Sequence, residues 1–98
     1  QEIKQICTKK NFICILTFDN KLISFDINNF DPMIHKYNKN ISQICIGKKE
    51  ILILYDSNEI FVIPDKYNIN SNGQFIQINC QNENIKYIYK IYEYYIVN

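Results

Sequence analysis

Four cysteines, one histidine and a scatter of carboxylates are the side chains here best suited to chemistry. Cys7, Cys14, Cys45 and Cys80 stand 7, 31 and 35 residues apart. A zinc site draws on closely paired ligands at a tight turn, yet there is no Cys-x-x-Cys and only one histidine, His35. An even count keeps a disulfide framework open. All four thiols, however, sit in or beside apolar runs, where cysteine behaves as a small hydrophobe. Buried free thiols are the first expectation, with disulfides and a metal as alternatives; reduced cysteines fit an intracellular compartment, cytoplasmic or nuclear. His35 lies in Met33-Ile34-His35-Lys36-Tyr37 without a nucleophile or carboxylate motif, so it reads as a surface-strand histidine. The carboxylates form no general acid–base pair. Two glycines, Gly47 and Gly73, are too few for a phosphate loop, and no Gly-x-Ser-x-Gly occurs. The expectation is a chain that is not an enzyme, with no catalytic residue, cofactor, metal or small-molecule substrate.

The lysines offer a different chemistry. Lys9-Lys10 and Lys48-Lys49 each fall between two strand-like runs. If those turns share one rim, four ammonium groups become neighbours and could contact an acidic protein partner. The plainer reading is solvated turn residues that discourage aggregation, since Asp26, Asp31, Glu50 and Asp65 fall close by and cancel much of the field. The formal net charge is +1 and there is no arginine, which weighs against nucleic acid.

The elements that must position these groups read as strands. Of 98 residues, 21 are Ile, 14 Asn, 11 Lys and 8 Tyr, with no Ala and no Trp. This looks like a low-G+C coding bias, and it favours strand over helix. A hydrophobic share of 47% argues against disorder. No apolar run approaches the ~18 residues of a membrane-spanning helix, so no membrane is expected.

A repeat organises the chain. Residues 3–26 align without a gap on residues 41–64, at an offset of 38 with nine identities in 24 positions. They are Ile3/Ile41, Gln5/Gln43, Ile6/Ile44, Cys7/Cys45, Lys10/Lys48, Ile13/Ile51, Ile15/Ile53, Leu16/Leu54 and Asn20/Asn58. So biased a composition would give about two or three by chance. A third copy begins at Ile85. Strands are expected near 3–7, 12–17, 21–26 and 32–37, then 41–46, 50–55, 59–63 and 74–79, then 85–91 and 93–97. Asp19-Asn20 reads as a two-residue hairpin turn, with Ser57-Asn58 in the same place, because Asn tolerates positive φ. Pro32 and Pro64 suit strand margins, Lys66–Gly73 reads as a surface loop, and no stretch has helical periodicity. In the tail, Ile85, Tyr87, Tyr89 and Ile91 alternate onto one face, expected to be covered by the rest of a third unit. The chain lacks an initial Met and stops in an apolar run, so a piece of a longer polypeptide is expected.

The expected fold class is thus all-β, built of consecutive antiparallel four-stranded meanders. Residues 1–98 form a single β-repeat region with units 3–40 and 41–84 and a partial unit 85–98. Four short strands recurring every ~40 residues resemble a β-propeller blade. The stretch Ile6–Phe25 looks like the repeat of the regulator-of-chromosome-condensation family, with Leu16, Thr17, Asp19, Ser24 and Phe25 in register. Gly47 takes that family's glycine position, and Ser71-Asn72-Gly73-Gln74-Phe75 is similar to its Gly-Gln-Leu-Gly element. The family's histidine is replaced by Phe12 and Glu50, its second glycine by Asn20 and Asn58, and its closing Trp-Gly by Phe25-Asp26 and Ile63-Pro64. The 38-residue spacing is short for that family and better suits a WD-repeat blade, whose Trp-Asp strand Leu22–Ile27 resembles. About two and a third blades of a larger propeller are expected, acting as a protein–protein interaction or scaffolding module. The resemblance implies an alternative, part of a nucleotide-exchange protein for a small GTPase, although no exchange-site residue can be carried over. The remaining alternative is a meander or sandwich unrelated to propellers.

Overall fold

The computed structural model describes residues 2–57 and 59–76. Among these residues, Ile-, Leu- and Phe-rich runs separated by polar turn residues form eight strands, as branched and aromatic side chains favour on a pleated surface. They are β1 (Ile3–Lys9), β2 (Phe12–Thr17), β3 (Lys21–Asp26), β4 (Asn29–Lys36), β5 (Ile41–Ile46), β6 (Ile51–Tyr55), β7 (Ile60–Ile63) and β8 (Gln74–Ile76). All pairings are antiparallel, in two four-stranded sheets ordered β1-β2-β3-β4 and β5-β6-β7-β8. The protein is all-β, two consecutive meanders, and no helix occurs among the described residues. The expected third unit, Cys80 and the turn residue Asn58 lie outside the described residues.

The 38-residue sequence offset is also a structural one. Ile6 faces Ile15 as Ile44 faces Ile53, and Ile13 faces Phe25 as Ile51 faces Ile63. Each first strand carries a register shift at the same place, between Ile3 and Gln5 and between Ile41 and Gln43. Even the closing ties agree: Phe18 N–H donates to Glu2 O (3.1 Å) and Asp56 N–H to Asn40 O (2.9 Å). The fourth strands depart. Ile23 faces Ile34 but Phe61 faces Phe75, an offset of 41 (75 − 34), because residues 64–73 replace the short link at Ile27-Asn28. β4 begins earlier than the sequence suggests, and Pro32 lies inside it. There the register shifts between Ser24 and Asp26 on an outer edge strand, so the missing N–H is tolerated.

The β2–β3 connection has three residues, Phe18, Asp19 and Asn20, rather than two. Asn20 N–H donates to Thr17 O (3.1 Å), and Asn20 takes φ 67°, the left-handed step that completes a three-residue hairpin. Thr17 Oγ1 donates to Asp19 Oδ1 (2.5 Å) and accepts from Lys21 N–H (3.0 Å). Asn20 then reaches forward. Its Oδ1 accepts from Ile41 N–H (3.0 Å), its Nδ2 donates to Asn40 Oδ1 (3.1 Å), and its carbonyl accepts from Tyr37 N–H (2.9 Å). One turn residue thereby fixes where the second unit starts.

The sheets share one core. Phe12, Cys14, Leu16 and Leu22 of the first pack with Ile44, Ile46, Ile51, Ile53 and Ile63 of the second. Each such aliphatic side chain contributes about 1.5–3 kcal/mol when fully buried. The segment expected to be a surface loop is partly interior: Ile69 is buried in this core, and Tyr67 meets Phe12 edge-on at 5.4 Å.

Substituting Asn20 separates its two roles. Asn20→Ala should cost about 2–3 kcal/mol, combining left-handed strain with the lost bonds to Ile41 and Asn40. Asn20→Gly should recover about 1 kcal/mol of that by relieving the backbone alone. Urea unfolding of both variants reads the difference; equal losses would mean that the turn conformation is not what Asn20 supplies.

Candidate functional site

The described residues bring the lysine turns to the same end of the stacked sheets. Lys9, half-buried, ends β1, and Lys10 follows in the two-residue β1–β2 turn with φ 54°. Lysine is an uncommon occupant of that left-handed region, which glycine enters freely. Lys48 and Lys49 are exposed in the β5–β6 turn, closed by Gly47 N–H donating to Glu50 O (2.7 Å). Ile27 N–H donates to Asn11 O (2.8 Å), so the β3–β4 link joins the same rim.

Lys66 ties the two turns together. Its N–H donates to Lys49 O (2.7 Å), while its Nζ lies 5.5 Å from the Phe12 ring and 5.4 Å from the Tyr67 ring. The residue is only 7% exposed. Burial first, and the charges of Lys9 and Lys10 next, lower its pKa, with Cys14 and Asp26 acting in the opposite direction. The sequence reading missed Lys66, which sits in an Asn/Ser-rich segment; the signal available was its flanking by Tyr67 and Ile69. Two nearby carboxylates are engaged in local turns: Asp26 Oδ1 accepts from Asn28 N–H (2.8 Å) and Asp65 Oδ1 from Tyr67 N–H (3.0 Å). Asp31 is exposed on β4 and Glu50 is half-buried just before β6.

The opposite end is polar and self-paired. There an open groove of about 470 Å³ is lined by Asn38, Lys39, Asn40, Asp56, Ser57 and Glu59. Lys39 Nζ and Ser57 Oγ both donate to Glu59 Oε1, at 2.9 and 2.8 Å, and these bonds hold the Glu59 carboxyl below its ordinary pKa. Lys21 and Asp19 form a second ion pair at 3.7 Å.

Cys7, Cys14 and Cys45 form no disulfide among the described residues; Cys14 and Cys45 are buried and Cys7 is half-buried. Among the described residues no cluster of three or more His, Cys, Asp or Glu could hold a metal ion. His35 lies on β4 as a half-buried strand histidine whose ring packs at a tilt of 59° against Tyr37, centroids 4.5 Å apart, and lies 3.1 Å from Asn70 Oδ1, linking the first sheet to the 64–73 segment.

Burial, with a smaller contribution from Cys7, pushes the Cys45 thiol up from 9.0 to about 11, and burial raises Cys14 further in the same direction. A raised acid stays neutral in the folded state, so its contribution is complete below pH 9.0 and is lost as pH rises toward 11. The urea midpoint of the wild type should therefore fall further between pH 9 and 11 than that of Cys45→Ala. Parallel pH curves for the two would contradict this assignment.

No protein-family model matches the chain, and neither a curated protein nor a solved structure matches it.

Proposed function

We propose that the chain is a protein–protein interaction or scaffolding module built from β-propeller-type repeat units, with an acidic partner segment docking on the lysine rim. The observation that carries this reading is the arrangement of Lys66, bonded to the Lys49 carbonyl while its head shares the field of Lys9 and Lys10. Lys66 thereby joins two turns that each carry exposed lysine, 38 residues apart, on one packed frame. Fixed loops on a packed β-scaffold present side chains with little ordering cost, and exposed ammonium groups attract carboxylates at low salt. Propeller-type organisation is supported by the repetition of register, bulge and closing tie in consecutive meanders.

Affinity capture with the wild type and with a Lys10→Glu/Lys48→Glu/Lys49→Glu variant tests the proposal. The wild type should recover stable partners carrying acidic segments, and the variant should lose them while keeping its strand content. Added salt should weaken the complexes. Recovery of no stable partner, or equal recovery by the variant, would reject the rim as the docking surface.

A further inference from the structure

The junction between the two sheets is made by a side chain that acts as a piece of strand. Gln5 Nε2 donates to Ile44 O (3.0 Å) and Gln5 Oε1 accepts from Ile44 N–H (2.8 Å). Cys7 Sγ also donates to Ile44 O (3.4 Å), and Lys4 Nζ donates to Ile41 O (2.6 Å). β5 is the edge strand of its sheet, and Ile44 turns its peptide groups away from β6. The Gln5 amide closes that edge.

The receiving half of this junction recurs on the first sheet. Ile6 holds the position of Ile44, opposite Ile15 as Ile44 is opposite Ile53, on a first strand that is likewise an edge among the described residues. Its peptide N–H and C=O therefore also point away from the neighbouring strand. Around it Ile13, Ile15, Ile23, Phe25 and Ile34 make an apolar outer face. On the second sheet the corresponding Ile44, Ile51, Ile53 and Ile63 are at most 1% exposed, whereas Ile6 and Ile34 are 56% and 60% exposed. The contrast is sharpest on the first two strands, where Ile6 is open and Ile13 and Ile15 are half-buried while Ile44, Ile51 and Ile53 are sealed; on the fourth strand Ile34 and its counterpart Phe75 are both exposed.

We infer that the outer face of the first sheet is a docking surface for another unit of this repeat within one polypeptide. Its first strand presents a glutamine whose amide bridges the N–H and C=O of Ile6. The occupant is specified by the interface already inside the molecule: the face bearing Gln5, Cys7, Cys14, Leu16 and Leu22 is what seals Ile44, so a second such face fits Ile6. This rests on the repeat-unit part of the proposed function and is independent of the lysine rim, since the rim lies at the turns and this surface on the outer face of the sheet.

A tandem chain with residues 3–40 duplicated directly ahead of Ile3 tests it, because that insertion reproduces the 38-residue spacing. The added unit should raise the urea midpoint and slow hydrogen exchange at the original Ile6 amide at least tenfold, as read by NMR. Gln→Ala at the Gln5 position of the added unit alone should restore fast exchange at Ile6 while strand content by circular dichroism stays that of the tandem chain. An added unit that leaves Ile6 exchange unchanged overturns the inference, whether that unit folds separately or not at all. Protection of Ile6 that survives the Gln→Ala change also overturns the glutamine bridge.

Discussion

An edge strand with unpaired peptide groups is a hazard unless something covers it, and here side chains cover β5: the Gln5 amide at Ile44, and Lys4 and Asn20 at Ile41. Gln5 supplies one donor and one acceptor at 3.0 and 2.8 Å, the complement that a neighbouring strand would offer to one residue. Because Gln5 sits on the face of the first sheet that meets the second, this bridge also sets how far one sheet slides along the other. Ile44 lies in the common core beside this bridge, and Ile41, also in the core, is tied to the first unit through Lys4 and Asn20. The two meanders are therefore locked by polar contacts at one edge and by aliphatic packing across their faces. The polar part gives direction, and the apolar part gives most of the stabilisation.

Much of this was legible in the residues. Strand positions in the first three strands of each unit followed from Ile, Leu and Phe runs between polar turns. The gapless 38-residue alignment carried over into a shared register, down to the shift before Gln5 and before Gln43. Repetition survives a biased composition because register depends on where apolar residues stand, and isoleucine fills such positions as well as any other β-branched residue. The positive φ at Asn20 was also readable, since few residues other than glycine accept it.

What was not legible depends on distant partners. Gln5 and Gln43 were visible as an identical pair, but a glutamine on a strand says nothing of a peptide 39 residues away. Lys66 and Ile69 stood in a segment whose Asn and Ser content reads as solvated loop, and only their packing over Phe12 and the shared core brings them inside. The hairpin at Asn20 gained a third residue because Thr17 bonds both Asp19 and Lys21, a local contest between side chain and backbone that a turn pattern does not resolve. The lysine rim belongs to the same class: its turns are expected on one rim, while the tie between them runs through Lys66, in a segment that reads as solvated loop.

The bridge can be measured at a single amide. Hydrogen exchange should find the Ile44 N–H strongly protected although it lies on a sheet edge. The Ile6 N–H, its counterpart without a described glutamine, should exchange much faster. In Gln5→Ala the Ile44 amide should lose most of its protection while Ile53, opposite it on β6, keeps its own. Ile44 exchanging as fast as Ile6 in the wild type, or remaining protected in Gln5→Ala, would contradict the role of the glutamine in joining the two sheets.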